Sequence, residues 1–101
     1  MQIIRTDTFK HQYKKLPQPI KEQAKKQLGL LLENPKHPSL RVKKIKGQTE
    51  DIFEARVSRG YRFTFKIEGE YYILRKIGTH DILRQPWLMR IKFYVLSKQY
   101  Q

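Results

Sequence analysis

The sequence predicts an α+β domain in which two N-terminal helices pack on one face of a small antiparallel β-sheet, mixed at its first strand. Apolar residues in the first third of the chain recur at helical spacing, whereas from Leu40 onward they alternate with polar residues, as strands require. The 101 residues suffice for one domain with one modest core, and no repeat, linker or low-complexity tract divides them.

A short strand over residues 2–5 is expected to precede the first helix. The polar residues directly before the helix are candidate N-caps: Thr6, Asp7 and Thr8. Its apolar stripe recurs at i, i+4 and i+7, with Phe9, Tyr13 and Leu16. The Leu16-Pro17 pair then ends this brief helix.

A second, longer helix is the strongest local prediction. Its apolar stripe is Ile20, Ala24, Leu28 and Leu31, and lysines occupy the opposite side. Asn34-Pro35 ends it, because the residue before a proline is pushed out of the helical region.

Parity fixes the register of the first hairpin, because the apolar residues of each strand must share the core face. The two apolar sets are Phe53, Ala55 and Val57, then Tyr61, Phe63, Phe65 and Ile67. A three-residue loop, Ser58-Arg59-Gly60, satisfies both sets and puts Gly60 where a left-handed residue is needed. On the other face this register places Arg56 opposite Arg62, and Glu54 opposite Thr64. Two opposed arginines repel each other unless an anion bridges them.

The turn near Glu68-Gly69 allows two registers. A two-residue loop places Arg75 beside Arg62, whereas a three-residue loop sends Arg75 to the apolar face. We favour the first, because burying an unpaired arginine is costly. Residues 87–101 fit a strand or a helix equally and stay unassigned.

Charge is the dominant compositional feature. The chain has 22 Lys and Arg against 9 Asp and Glu, a formal net charge of +13, which would attract polyanions such as nucleic acid and would be masked by an acidic partner. A solubility surface is the alternative explanation. The absence of cysteine excludes a disulfide scaffold and thiolate metal sites. We expect a cytoplasmic protein that does not enter a membrane, because we find neither a secretory signal nor an apolar run of membrane-spanning length.

Six short motifs follow one another between residues 2 and 84: Phe9-x-x-x-Tyr13-x-x-Leu16-Pro17, Leu32-x-Asn34-Pro35-x-x-Pro38-x-Leu40, Ile45-x-Gly47, Ile52-x-Glu54-x-Arg56-Val57, Tyr61-Arg62-Phe63 and Ile77-Gly78-x-His80-Asp81. In this order they resemble the RelE/ParE toxin superfamily of bacterial toxin–antitoxin systems. One branch of that superfamily cleaves messenger RNA on the ribosome, and another poisons DNA gyrase without nuclease chemistry.

For the ribonuclease branch, the resemblance implies a site built on the strands. Arg62 matches an arginine that supports the scissile phosphate, Glu54 a carboxylate that serves some members as general base, and His80 a histidine near the end of the last strand. Arg56 corresponds loosely to a further basic residue. Asp81 departs from the pattern, because a tyrosine commonly follows the histidine.

Metal-independent RNA cleavage needs a base for the 2′-hydroxyl, positive charge for the phosphorane and an acid for the 5′-oxygen. We assign Glu54 or His80 as base, Arg62 with Arg56 as electrostatic clamps, and His80 as acid, since its reference pKa lies nearest neutrality. Further RNA contacts are expected from Lys43, Lys44, Lys46 and Arg75, with base stacking on Tyr61 or Tyr72. We predict no metal or other cofactor.

The expected partners are an acidic antitoxin, in a heteromeric complex, and the ribosome with its messenger RNA. Two other functions stay open: a gyrase-inhibiting toxin, which needs no general acid, and a nucleic-acid-binding protein without catalysis. At the level of single residues, Glu54, Arg56 and Arg62 can also form a purely structural ion-pair network on a solvated face. His80-Asp81 can be simply a polar turn.

Overall fold

The computed structural model describes residues 1–79, so the segment 87–101 and the pair His80-Asp81 lie outside the described residues. Eight elements follow one another: β1 (Gln2–Arg5), α1 (Asp7–Lys14), α2 (Gln18–Glu33), a 3-10 helix (Pro38–Leu40), β2 (Lys43–Lys44), β3 (Phe53–Arg56), β4 (Tyr61–Glu68) and β5 (Tyr71–Thr79). This confirms the predicted α+β class. Over residues 1–79, neither helix has the length and apolar character that crossing a bilayer requires.

The five strands form one sheet in the order β1-β5-β4-β3-β2. The pairs β2–β3, β3–β4 and β4–β5 are antiparallel, whereas β1 runs parallel to β5. The sheet is therefore mixed at its first strand, as predicted. A parallel neighbour cannot be reached by a tight turn, and here α1 and α2 provide the long connection between β1 and the rest of the sheet.

Thr6 joins β1, α1 and β5 at one point. Of the three candidate caps it is the one used: its Oγ1 accepts a hydrogen bond from the backbone N–H of Phe9, at 3.2 Å. The same hydroxyl donates to the carbonyl of Leu74, at 2.8 Å, and the backbone N–H of Thr6 reaches that carbonyl at 3.2 Å. The cap therefore also fixes the start of α1 against β5.

Replacing Thr6 with alanine is expected to destabilise the fold by about 1–3 kcal/mol, because the cap and the bond to Leu74 are lost together. Thr8→Ala is the matched control, since Thr8 is exposed in α1 and its removal is expected to change the free energy of unfolding by less than about 0.5 kcal/mol. Urea unfolding of both variants measures the difference. Equal midpoints for the two variants would show that the cap does not contribute.

Both helices bury their apolar stripes against one face of the sheet. Helix α2 ends at Glu33, as Asn34-Pro35 predicts, whereas α1 ends at Lys14, before Leu16, which is still buried. The core cluster joins both helices to the sheet and consists of Phe9, Leu16, Ala24, Leu31, Leu40, Ala55, Val57, Phe63, Phe65, Tyr72, Leu74 and Ile77. The residues on the opposite sheet face are thus left for the candidate site.

The hairpin β3–β4 has the predicted register. Arg56 is opposite Arg62 and Glu54 is opposite Thr64, with Ala55 opposite Phe63 on the core side. The expectation for Gly60 is wrong: its backbone does not adopt a left-handed conformation. Instead, the carbonyls of Ser58 and Arg59 in this loop accept hydrogen bonds from the guanidinium of Arg62.

The second hairpin has the favoured two-residue loop, because Glu68 is opposite Tyr71 and Gly69 takes a φ of +58°. A β-bulge then shifts the register by one residue. Leu74 is opposite Phe65, but Lys76, not Arg75, is opposite Thr64, so Arg75 is the extra residue at the bulge. Gly78 accordingly lies opposite Arg62. The predicted place of Arg75 beside Arg62 is therefore corrected by the bulge.

The expected run of strands from Leu40 onward is interrupted. The 3-10 helix covers Pro38–Leu40, β2 has two residues, and residues 45–52 contain no strand. The backbone bond from Ile45 N–H to the Ile52 carbonyl, at 2.8 Å, closes this loop, and Gly47 turns it with a φ of +81°. The polar run between Gly47 and Asp51 has no alternating apolar residues that could hold a strand.

Candidate functional site

The candidate site occupies the sheet face that points away from the helices. Because side chains alternate along a strand, Glu54 and Arg56 of β3 share this face with Arg62 and Thr64 of β4, while Phe63 between them points into the core. Lys43 of β2 is opposite Glu54 and extends the row by one strand. The hairpin register thus brings three ionic side chains, Lys43, Glu54 and Arg62, to one place.

Glu54 is the buried centre of this group. Its side chain is 2% exposed, and its Oε1 lies 3.9 Å from Lys43 Nζ and 3.9 Å from Arg62 Nε. A carboxylate taken out of water is costly unless cations or donors compensate it. Two cations on adjacent strands provide that compensation. Glu54 therefore fixes the positions of both positive groups.

Arg62 is anchored by the loop of its own hairpin. Its Nη1 donates to the carbonyls of Ser58, at 2.6 Å, Tyr61, at 2.8 Å, and Arg59, at 3.3 Å. The side chain is 17% exposed, which keeps most of it out of solvent. A guanidinium held by carbonyls on one side and a carboxylate on another is preorganised, so little ordering remains when an anion binds.

The other predicted basic residues are not all part of this group. Lys44 pairs with Asp51, at 2.9 Å between Nζ and Oδ1, on the exposed side of the loop 45–52. Lys46 is exposed in that loop. Arg56 is half-buried at the end of β3, opposite Arg62 on the same sheet face, and its backbone carbonyl accepts a hydrogen bond from Gln27 of α2.

The predicted stacking residues lie on the core side. Tyr61 is half-buried and packs against the core cluster, and Tyr72 is 6% exposed with its ring edge-on to Phe65. Tyr72 is therefore not available for base stacking, which corrects that prediction. Tyr61 is opposite Thr79, so the described part of β5 ends beside the Arg62 end of the hairpin.

Sequence reasoning missed three polar residues. Thr64 is 3% exposed, opposite Glu54, and its Oγ1 has no hydrogen-bond partner among residues 1–79. Lys76 joins the same face only because of the bulge, which no local sequence signal marks. Gln27 is 5% exposed and lies between Ala24 and Leu31 on the buried side of α2. A polar residue at an apolar position of the helical pattern was the sequence signal that could have identified it.

An acidic pair at the far end of β4 completes the electrostatics of this face. Lys66 lies 2.9 Å from Glu68 and 3.6 Å from Glu50, measured from Nζ to the carboxylate oxygens. The hydrogen bond to Glu68 and the charges of both acids raise the pKa of Lys66 above its ordinary value. These acids are thus engaged by Lys66, and the Arg62 end of the face is the more positive one.

The arrangement can bind and polarise an anion. Arg62 and Lys43 carry positive charge on either side of a carboxylate, and charge developing on a phosphate would be stabilised by such fixed cations. Within residues 1–79 no group of three or more His, Cys, Asp or Glu side chains could hold a metal ion. Arg62, Lys43 and Glu54 can supply electrostatic stabilisation of an anion at this face.

No protein-family model matches the chain, and no curated protein sequence matches it.

Solved structures do resemble it. A YoeB/ParE toxin from Agrobacterium tumefaciens superposes with a TM-score of 0.68 at 14% identity, over 79% of this chain and 99% of that one. YafQ from E. coli strain BL21(DE3) gives 0.68 at 18% identity, over 80% and 94%. A chain of the E. coli RelBE toxin–antitoxin complex gives 0.61 at 24% identity, over 76% and 93%. The chain therefore has the fold of the RelE/ParE toxin superfamily, as its motifs predicted.

Proposed function

We propose that this chain is the toxin of a type II toxin–antitoxin system and that it cleaves messenger RNA on the ribosome. The observation that carries the proposal is the Glu54–Arg62 pair. Arg62 is the residue to which the motif Tyr61-Arg62-Phe63 assigns phosphate binding, and it lies on the sheet face away from the helices. The Ser58 carbonyl of its own loop and the buried carboxylate of Glu54 hold its guanidinium. Such rigidity suits transition-state stabilisation better than a solvated ion pair does.

The reaction is attack of the 2′-oxygen on the adjacent phosphorus, with departure of the 5′-oxygen. A base takes the proton of the 2′-hydroxyl, and an acid gives a proton to the leaving oxygen, so the products are a 2′,3′-cyclic phosphate and a 5′-hydroxyl. Arg62, with Lys43 beside it, stabilises the extra negative charge of the phosphorane. Arg56 is the second predicted clamp.

Glu54 and His80 are the two candidates for the base, and His80 is the acid. The burial of Glu54 between Lys43 and Arg62 supports a positioning role for its carboxylate, because a substrate hydroxyl has little access to a side chain that is 2% exposed. That leaves His80, whose side-chain type has a reference pKa close to neutrality, for both transfers: its neutral ring takes the proton of the 2′-hydroxyl, and the imidazolium then gives that proton to the departing 5′-oxygen.

An acidic antitoxin is the proposed regulator. The net charge of +13 predicts a partner of opposite sign, and the similar structures include RelB–RelE antitoxin–toxin complexes from E. coli and from Methanococcus jannaschii. An antitoxin that covered Lys43 and Arg62 would block the site and would also relieve the repulsion within the chain.

The test is induced expression of the chain without a partner, with growth and messenger 5′ ends followed together. We expect growth arrest and new in-frame cuts that carry 5′-hydroxyl ends. Arrest without cuts, together with accumulated gyrase–DNA cleavage complexes, would replace this proposal by gyrase inhibition. Unimpeded growth would show a binding protein without catalysis.

The same assay separates the roles of the two titratable residues. His80→Gln is expected to reduce cleavage by about 10²–10⁴-fold, the usual contribution of a general acid or base. Glu54→Gln retains the shape of the side chain and is expected to cost less than His80→Gln. The reverse order would make Glu54 the base.

A further inference from the structure

A second polar cleft lies between α2, the 3-10 helix and the end of β3. It has a volume of about 360 Å³. Its polar lining residues on α2 and the 3-10 helix are Gln23, Lys26, Gln27, His37 and Ser39, with Leu30 and Val57 as apolar neighbours. Arg56 lies at its wall with a backbone carbonyl that accepts from Gln27, whereas its side chain shares the opposite sheet face with Glu54. Among residues 1–79, no carboxylate lines it. The described lining therefore carries one cation, Lys26, and several hydrogen-bond donors.

The helical wall of the cleft follows directly from the sequence. Gln23, Lys26 and Gln27 are spaced at i, i+3 and i+4, which places them on one face of α2. Lys25, their neighbour, is on a different face and does not line the cleft. One of the two adjacent lysines thus points to this cleft and the other does not.

The buried amide of Gln27 ties the three walls together. Its Nε2 donates to the carbonyl of Arg56, at 2.8 Å, and to that of Ser39, at 3.3 Å, so α2 is linked to both β3 and the 3-10 helix. At 5% exposure, this side chain would cost stability without those bonds. The cleft is accordingly preformed, which lowers the entropic cost of binding.

Ser39 fixes the ring of His37 through its Nδ1 atom, which leaves Nε2 as the donor. Its Nδ1 accepts a hydrogen bond from the backbone N–H of Ser39, at 3.1 Å, and lies 2.8 Å from the Ser39 hydroxyl oxygen. A nitrogen that accepts carries no proton, so the neutral ring has its N–H at Nε2. His37 is thus a hydrogen-bond donor at the wall of the cleft in its neutral form and in its cationic form.

We propose that this cleft is a binding site for a phosphate group, separate from the Glu54–Arg62 face. Lys26 forms no salt bridge with any acid of residues 1–79, and Gln23 and His37 line the cleft with it, so the oxygens of a phosphate would find one cation and further hydrogen-bond donors there. The phosphate belongs either to an RNA strand or to a free nucleotide, since both present the same group. The proposal does not depend on RNA cleavage.

Residue-resolved NMR titration of the full chain with inorganic phosphate tests the proposed site, because residues of the cleft and residues of the Glu54–Arg62 face give separate signals. In the wild type we expect shifts of the Gln23, Gln27 and Ser39 side-chain or backbone signals. Lys26→Gln is expected to weaken phosphate binding at the cleft by about tenfold, the loss of one hydrogen bond to a charged group. Lys25→Gln makes the same change of charge outside the cleft and is expected to alter binding by less than about twofold.

His37→Asn is a second, independent variant. Asparagine can keep the acceptor for the Ser39 N–H through Oδ1, but its amide N–H lies nearer the backbone than the Nε2–H of histidine. The 3-10 helix should therefore persist, while phosphate binding weakens because the donor no longer reaches as far. If Lys26→Gln and Lys25→Gln weakened phosphate binding equally, or if the chemical-shift changes were confined to the Arg62 hairpin, the proposed site would be wrong. Tighter binding of a short oligouridylate than of uridine 5′-monophosphate would identify an RNA strand as the source of the phosphate, and the opposite order would identify a free nucleotide.

Discussion

Arg62→Ala is expected to abolish growth arrest and messenger cleavage, with a loss of at least about 10²-fold in the rate of cleavage, as for removal of one preorganised group that stabilises developing charge. The reason is geometric. Arg62 is held by the carbonyls of Ser58, Arg59 and Tyr61 and faces Glu54, so its guanidinium is already ordered before substrate binds. Induced expression with mapping of messenger 5′ ends measures the effect.

Arg59→Ala is the matched control. Arg59 is exposed in the same loop and contacts Arg62 through its backbone carbonyl, which alanine keeps, so the variant loses the same charge and retains that contact. We expect Arg59→Ala to arrest growth as the wild type does. Equal loss in both variants would mean that net charge, and not the position of Arg62, supports toxicity.

Arg62→Lys separates charge from geometry. A lysine keeps a counter-charge for buried Glu54, but its single ammonium cannot contact the loop carbonyls and Glu54 from two separate nitrogens, as Nη1 and Nε of Arg62 do. We expect a folded protein with cleavage between that of Arg62→Ala and that of the wild type. A thermal melt of each variant shows which losses come from unfolding. A folded Arg62→Ala protein that still cut messenger would remove Arg62 from the mechanism.

Phe63→Ala is expected to have the largest effect on stability. Phe63 is fully buried, lies between Ala55 and Ile77 in the sheet, and has its ring 5.9 Å from that of Phe65. Truncating a buried phenylalanine costs about 3–5 kcal/mol, through lost transfer free energy and the cavity left behind. Small domains have about 5–15 kcal/mol of stability in total, so this single change threatens the fold.

Ile67→Ala is the control in the same strand. Ile67 is 48% exposed, so removing its side chain leaves no cavity and is expected to cost less than about 1 kcal/mol. Urea unfolding of both variants, with the slope compared as well as the midpoint, measures the difference. A Phe63→Ala midpoint equal to that of Ile67→Ala would show that the core does not centre on β4.

Much of the fold was predictable because it depends on local patterns. Period-two alternation places Ala55, Phe63 and Phe65 on the core face, and the loop length that agrees with it leaves one register, with Arg56 opposite Arg62. Ile67, further along β4, was expected on the same core face, but it is 48% exposed. Asn34-Pro35 ends α2 where a proline must end it. The conformation of Gly60 was not predictable in this way, because the carbonyls of its loop are organised by a side chain beyond the loop, that of Arg62.

By itself, the sequence determined the α+β class, the two helices, the register of the first hairpin and the placement of Glu54 and Arg62 on the face away from the core, since all of these follow from spacing along one or two neighbouring elements. Tertiary structure alone decided the rest. The bulge that brings Lys76 opposite Thr64, the burial of Glu54 between Lys43 and Arg62, and the bonds from Gln27 to two other segments each join residues distant in sequence. Burial and long-range pairing depend on how the elements pack, and no local spacing encodes them.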